Sequence, residues 1–370
     1  MIKIPPFVES LIPYKAGKPI SELAREKGLT RIVKLASAEN PLGPSPKAVK
    51  AIEAALLGLN RYSDPASYDL VQAIAKKYNV QPNHIICGHG TDSLLAYVVS
   101  AFTSESDEIL TSEGTFIGIY VSISKLGRKL IRLPQKEHGF DLDAIADAIT
   151  EKTSMIYLAN PNNPTGTMFD RFQFEAFMDK VPDHIMVILD EAYTDYANEY
   201  PNYPNGVRYD YENLVITRTL SKAHGLAGLR IGFAVGPDKV IEALYKVKLP
   251  FEPNLLAQQA GIAALDDDEF LAQTIRLNKE SLGELKACFE RNGIEQVPSH
   301  TNFILTLMPS PDFARDFAEE CANRGLIVRH VDKFGVENGI RINSGTMEET
   351  AFAIEVIEEV YGLLTSKKDK

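Results

Sequence analysis

Cysteine is scarce: Cys87, Cys288 and Cys321 are odd in number, scattered and without a Cys-x-x-Cys pair. Neither a disulfide framework nor a zinc site follows, and no metal is expected. Basic runs are missing apart from the terminal Lys367-Lys368-Asp369-Lys370, and the net charge is -11, which argues against a nucleic-acid partner. No apolar stretch approaches the length of a membrane span, and Met1-Ile2-Lys3-Ile4-Pro5-Pro6 has no long apolar segment of the signal-peptide kind. The expectation is a cytoplasmic protein without a membrane partner. Internal repeats, low-complexity linkers and a Gly-x-x-x-x-Gly-Lys phosphate loop are also lacking. What is present is bulk: 370 residues with 45% hydrophobic content can bury one large core plus a satellite domain.

The proline-rich stretch to about Pro46 reads as largely extended, apart from a charged segment around Ser21 to Gly28. From Lys47 the pattern turns helical, with Val49, Ile52 and Leu56 on one face and Leu70, Ile74 and Tyr78 repeating the period. Apolar strands alternate with helical segments up to about Val235, which implies right-handed crossovers and a mainly parallel sheet. Helical periodicity dominates from Asp238 to Asn292. Strands are expected at Asn302 to Leu307, Leu326 to Val331 and Ile340 to Asn343. A helix with Phe313, Phe317 and Cys321 on one side ends at Gly325, and Ile354, Ile357 and Tyr361 mark a closing helix. The predicted fold is α/β: an arm over 1–46, a large mainly parallel-sheet domain over 47–270 and a small α+β domain over 271–370.

Lys222 is the most informative residue. It lies in Arg218-Thr219-Leu220-Ser221-Lys222-Ala223-His224-Gly225-Leu226-Ala227-Gly228-Leu229-Arg230, after the apolar run Leu214-Val215-Ile216. An amine able to form an imine thus emerges at a strand end, where open α/β sheets bind ligands. Thr219, Ser221 and Arg230 can hold a phosphate by hydroxyl bonds and a charged fork. Three other strand ends carry polar groups. Met155-Ile156-Tyr157-Leu158 precedes the turn Asn160-Pro161-Asn162-Asn163-Pro164-Thr165-Gly166-Thr167, where the prolines exclude helix. Met186-Val187-Ile188-Leu189 ends in Asp190-Glu191-Ala192-Tyr193, a carboxylate and a phenol at the same edge. Ile85-Ile86-Cys87 leads into Gly88-His89-Gly90-Thr91-Asp92-Ser93, where amides at a helix start can bind an anion. That glycine loop misses the dinucleotide fingerprint by one residue, and a dinucleotide domain leaves Asn163, Asp190, Tyr193 and Lys222 unexplained.

In this order and over most of the chain, these residues resemble the aspartate aminotransferase superfamily, the fold-type I enzymes that use pyridoxal 5'-phosphate. The resemblance implies that Lys222 holds the cofactor covalently, Asp190 pairs with its ring nitrogen, and Asn163 and Tyr193 contact its ring hydroxyl. Thr91, Ser221 and Arg230 would hold its phosphate. Gly90, Asp92 and Thr219 belong to the same phosphate group of residues, and Phe116 in Glu113-Gly114-Thr115-Phe116 to stacking on the ring. A carboxylate at the ring nitrogen keeps it protonated, and the freed Lys222 amine can then carry a proton. Lys222, Asp190 and Tyr193 are the expected catalytic group.

The closer likeness is to the histidinol-phosphate aminotransferase subfamily. It rests on Pro13-Tyr14, on Leu35-Ala36-Ser37-Ala38-Glu39-Asn40-Pro41-Leu42-Gly43-Pro44-Ser45-Pro46, on Arg61-Tyr62, on Thr301-Asn302-Phe303, and on Val328-Arg329 with Ile340-Arg341-Ile342. The resemblance implies a homodimer in which Tyr62 reaches the partner's cofactor phosphate. It gives Arg341 the α-carboxylate of the amino donor, and gives Arg329 and Tyr14 the substrate's distal anion, with Asn40 and Asn302 in the substrate set. The reaction implied moves an amino group between glutamate and histidinol phosphate. Alternatives are an aromatic amino acid aminotransferase, or a decarboxylase of threonine phosphate or serine phosphate built on the same frame. Ala38 stands where asparagine is usual, Ser93 replaces an acidic residue, His224 an aromatic one, and Asn343-Ser344 a small hydroxyl and an aliphatic residue. His89 and His224 are expected in solvent, outside the mechanism.

Overall fold

The computed structural model describes residues 2–11 and 25–368. The arm contributes one short strand, β1 (Val33–Lys34). Seven strands then build the main sheet: β2 (Ile85–Gly88), β3 (Glu108–Ser112), β4 (Lys129–Leu133), β5 (Thr153–Ala159), β6 (Met186–Asp190), β7 (Leu214–Thr219) and β8 (Gly232–Val235). Their order is β2-β8-β7-β6-β5-β3-β4, with β8 antiparallel to both neighbours and the remaining pairs parallel. These strands are near-continuous apolar runs because helices cover both faces. Successive side chains alternate between two cores. Ile156, Leu158, Val187 and Leu189 join one, while Met155, Tyr157, Met186 and Ile188 join the other.

The topology gathers the polar strand ends at one edge. Parallel β5, β6 and β7 finish there at Ala159, Asp190 and Thr219. Gly88, the last residue of β2, pairs with Gly232, which also pairs with Thr219, so the glycine loop opens at the same edge.

A second, four-stranded sheet has the order β12-β13-β10-β9 and is antiparallel throughout. It contains β9 (Glu295–Gln296) and β10 (Phe303–Leu307), then β12 (Arg329–His330) and β13 (Gly339–Asn343). Helices Asp268–Arg291, Pro311–Asn323 and Met347–Lys368 pack with it around Leu285, Phe289, Phe317, Ile342 and Val360. The continuous strand expected at Leu326 to Val331 is instead two strands. Leu326–Ile327, β11, pairs in parallel with β1, and only Arg329–His330 joins β13. The arm competes for the first half: Val33 N donates to Gly325 O and Leu35 N to Ile327 O. The arm is also less extended than its prolines suggest. It contains a helix at Pro6–Glu9 and one helical turn at residues 25–27.

The two largest core clusters draw on different stretches of chain. The first large cluster draws on residues from Ala48 to Leu265, and the C-terminal one on Leu282 to Leu364 together with Val33 and Leu35 of the arm.

Candidate active site

Lys222 sits three residues beyond β7, in a segment folded back by a Leu226 N to Leu220 O bond. Its amine reaches a cavity of about 100 Å³ lined also by Thr91, Asp92, Phe116, Asn163, Asp190, Tyr193, Thr219, Ser221 and Arg230. Ten of the residues named from the sequence therefore line one cavity, while Gly90 and Tyr62 do not. The Lys222 amine lies 5.7 Å from the centre of the Tyr193 ring. Burial, reinforced by the positive charge of Arg341 and opposed by Glu39, lowers its pKa from 10.5 to about 8. A neutral, nucleophilic amine is thus within reach at physiological pH.

Asp190 ends β6 and is buried. Burial raises its pKa to about 6, although Tyr157, Thr217 and the Ala192 amide pull it down by hydrogen bonding. Tyr157 Oη donates to Asp190 Oδ2 at 2.8 Å, and Ala192 N to Oδ1 at 3.2 Å. Sequence reasoning missed Tyr157. A tyrosine inside a buried strand must find a hydroxyl partner, and that requirement was the available signal. Tyr193 is buried with its hydroxyl unpartnered among the described residues, and burial pushes its pKa up to about 12. His224, expected in solvent, is buried instead, with Nε2 3.9 Å from Asp195 Oδ2, and burial lowers its pKa. His89 is exposed as expected.

At the other end of the cavity, helix Gly90–Phe102 begins with Gly90 at φ 74°. A Cβ there would lie 2.7 Å from Arg230 Nη2, so only glycine lets that guanidinium approach the helix start. Arg230 pairs with Asp92 at 2.8 Å. Thr219 Oγ1 lies 2.9 Å from Ser221 Oγ and accepts from Ser221 N, which fixes the two hydroxyls side by side. Together the hydroxyls, the guanidinium and the free amides of the helix start make an anion cradle.

The small sheet supplies the two remaining arginines. Arg329 and Arg341 are direct partners across β12 and β13, with Phe334 at 5.7 Å and 6.0 Å from their guanidinium carbons. Arg341 bonds Asn163 Oδ1, donates to Ala36 O at 2.8 Å, and lies 4.9 Å over the Phe303 ring. Asn40 is committed to the protein: Nδ2 donates to Ala223 O and Thr274 Oγ1, and Oδ1 accepts from Leu42 N. Asn302 is fully buried and donates to Ala38 O at 3.1 Å. Both asparagines tie the arm to the site walls and stay outside the cavity lining. Two departures from the subfamily pattern touch one another, since Ala38 N donates to Asn343 Oδ1. Tyr62 stands away from the cavity, 83% exposed and stacked on Phe251 with ring centres 4.3 Å apart. Tyr14 lies outside the described residues.

Residues 30–357 match the family model of aminotransferase class I and II. The histidinol-phosphate aminotransferase 2 of Hydrogenovibrio crunogenus is 42% identical over 368 residues, 99% of this chain and 97% of that protein. The protein of the same name from Pasteurella multocida is 41% identical over 96% of this chain and 97% of its own length. Among solved structures, histidinol-phosphate aminotransferase from Sinorhizobium meliloti in complex with pyridoxal-5'-phosphate superposes with a TM-score of 0.91. That match has 27% identity and covers 98% of this chain and 99% of that one. A lysine, a carboxylate and an anion cradle at the edge of a mostly parallel sheet, matched by relatives over nearly the full length, establish that the chain belongs to the class I and II aminotransferase family.

Proposed function

We propose that the protein transfers an amino group between glutamate and 2-oxoglutarate on one side and histidinol phosphate and imidazole acetol phosphate on the other, a step of histidine biosynthesis. Pyridoxal 5'-phosphate is its cofactor. The observation that carries the reading is the pairing, in one cavity, of an amine lowered to about 8 with a buried carboxylate raised to about 6. Among the described residues no ion pair involves Asp190 and the Tyr193 hydroxyl has no hydrogen-bond partner, while the hydroxyls and guanidinium of Thr219, Ser221 and Arg230 suit a phosphate. These residues fit the cofactor. When bound, it supplies an aldehyde carbon that takes up and returns an amino group, and a ring that accepts electron density.

The chain's own residues do the rest. Asp190, held by Tyr157, would keep the ring nitrogen protonated, because a cation beside it favours the ionised carboxylate. Asn163 and Tyr193 would hold the ring hydroxyl and Phe116 would cover the ring, since all three line the cavity. Gly90, Thr91, Asp92, Thr219, Ser221 and Arg230 form the phosphate end, in which Asp92 sets the guanidinium. Lys222, neutral at its lowered pKa, would hold and move the proton of the substrate's α-carbon. Arg341 binds the α-carboxylate of glutamate, and Arg329 beside it the distal anion, carboxylate or phosphate.

The names of the relatives at about 40% identity favour this substrate pair over an aromatic amino acid or a phosphorylated amino acid bound for decarboxylation. The same proposal includes a homodimer. Tyr62, Leu57, Leu59, Tyr68 and Leu249 are exposed large side chains, and a second copy would cover them and bring Tyr62 to the partner's phosphate. It also includes the division into arm 1–46, large domain 47–270 and small domain 271–370, supported by the separate core clusters. A cytoplasmic location belongs to the proposal as well. No described helix is long and apolar enough to cross a membrane.

The test is a spectral titration of the cofactor-loaded protein without any oxo acid. Histidinol phosphate and glutamate should each convert the cofactor to its amine form, and Lys222→Ala should lose the conversion. Release of carbon dioxide from phosphoserine with the cofactor left unconverted would sink the assignment.

A further inference from the structure

Ala38 is 1% exposed and has φ 52°, a left-handed conformation that an L-residue with a Cβ adopts only when its surroundings hold it there. Two side chains do so. Asn343 Oδ1 accepts from Ala38 N at 3.1 Å, and Asn302 Nδ2 donates to Ala38 O at 3.1 Å. Three residues earlier, Leu35 is fastened by its backbone, accepting from Asn343 N and donating to Ile327 O. Ala36 and Ser37 therefore span two fixed points, and the direction of the Ala36 carbonyl follows from them. That carbonyl accepts from Arg341 Nη2 at 2.8 Å. Arg341 and Asn343 lie two apart on β13, so both side chains leave the same face of the strand toward the arm.

We propose that Asn343 is a positioning residue for Arg341: by pinning the left-handed turn at Ala38 it aims the Ala36 carbonyl, and through that carbonyl the guanidinium. Nothing in this geometry requires Asn343 to meet a substrate. Its own Nδ2 donates to Ser344 O at 3.0 Å, and it is buried. The turn packs with Tyr193, Ala223 and Phe303, so the tether lies between the Lys222 segment and the small sheet. An arginine held in one orientation binds a carboxylate with two parallel bonds, and a loosely held one forfeits that fit. The inference rests on the reading of Arg341 as the ligand of the glutamate α-carboxylate. Histidinol phosphate carries a phosphate ester on a methylene in place of that carboxylate, an anion two atoms farther from the amine-bearing carbon that falls to Arg329 on the same reading, so the two half-reactions respond differently.

The experiment measures each half-reaction of the cofactor-loaded Asn343→Ala protein separately. The half-saturating glutamate concentration should rise about tenfold, while that for histidinol phosphate stays within about twofold. The double variant Ala38→Gly with Asn343→Ala covers the case of a single variant that fails to fold, since glycine takes the left-handed turn without a tether. It should regain thermal stability and keep the glutamate defect. An equal rise for both substrates, an unchanged glutamate response, or full recovery of glutamate binding in the double variant would overturn the proposal. Arg341→Ala separates the two layers. If it leaves glutamate binding intact, the underlying reading of Arg341 fails and the inference falls with it. If Arg341→Ala is defective and Asn343→Ala is not, the inference alone fails.

Discussion

Asp190 costs the cofactor-free protein stability. Its folded-state pKa is raised from 3.8 to about 6, so the folded chain binds this proton more tightly than the unfolded chain does. The contribution is fully favourable below about pH 4 and is lost as pH rises through about 6. A shift of this size corresponds to about 3 kcal/mol at neutral pH. Asp190→Asn should therefore raise the melting temperature of the cofactor-free protein at pH 7.5 by roughly 2–4 °C. The gain should shrink to about half at pH 5, where the folded side chain is mostly protonated but the unfolded one is still ionised, and turnover should be lost at every pH. A melting temperature that is lower at pH 7.5, or equally raised at both values, would contradict the burial argument. The same residue shows what local sequence conveys. A carboxylate after four apolar strand residues announces itself as a site group, whereas its Tyr157 partner, 33 residues away, depends on the pairing of β5 with β6.

Between elements, the ends of β6 and β7 are bolted by a buried ion pair. Arg218 Nε and Nη2 donate to Glu191 Oε2 at 2.9 Å and 2.6 Å, Nη2 also donates to Asn205 Oδ1, and the guanidinium lies 4.8 Å from the Tyr78 ring centre. Glu191 Oε1 accepts from Gly206 N at 2.6 Å. The pair sits one residue past Asp190 and one before Thr219, so it fixes the strand ends from which the carboxylate and the lysine emerge. Arg218→Ala would strand the Glu191 carboxylate in the core and should cost about 3–5 kcal/mol in denaturant unfolding. Arg218→Lys should recover little, because an ammonium cannot match the two-pronged bond and the ring contact. A loss below about 1 kcal/mol would show that Glu191 finds other partners. Periodicity made the strands themselves legible, since Met186-Val187-Ile188-Leu189 can hardly be read otherwise. It could not divide Leu326 to Val331 between two sheets, because β1, nearly 300 residues earlier, competes for Leu326 and Ile327.

The whole molecule carries an exposed apolar surface around Leu57, which is 96% exposed, with Leu59, Tyr62, Tyr68 and Leu249 also at the surface. Sedimentation equilibrium should give twice the mass of one chain, and Leu57→Asp should shift the population toward single chains. Tyr62→Ala should weaken cofactor retention several-fold while leaving assembly intact. A wild-type protein that sediments as one chain would remove both expectations. By itself the sequence determined the residue types of the site and their approximate address: a lysine, a carboxylate, a phenol and a glycine loop, each at the end of an apolar run. Those are local statements, set by side-chain type and by periods of two and 3.6 residues. Only the tertiary structure decided that Arg329 faces Arg341, that Asn40 of the arm donates to Ala223 while Asn302 donates to Ala38 of the arm, and that Asn343 reaches Ala38 across 305 residues of chain. Such contacts depend on how two sheets and an arm are set against one another, and no local preference encodes that placement.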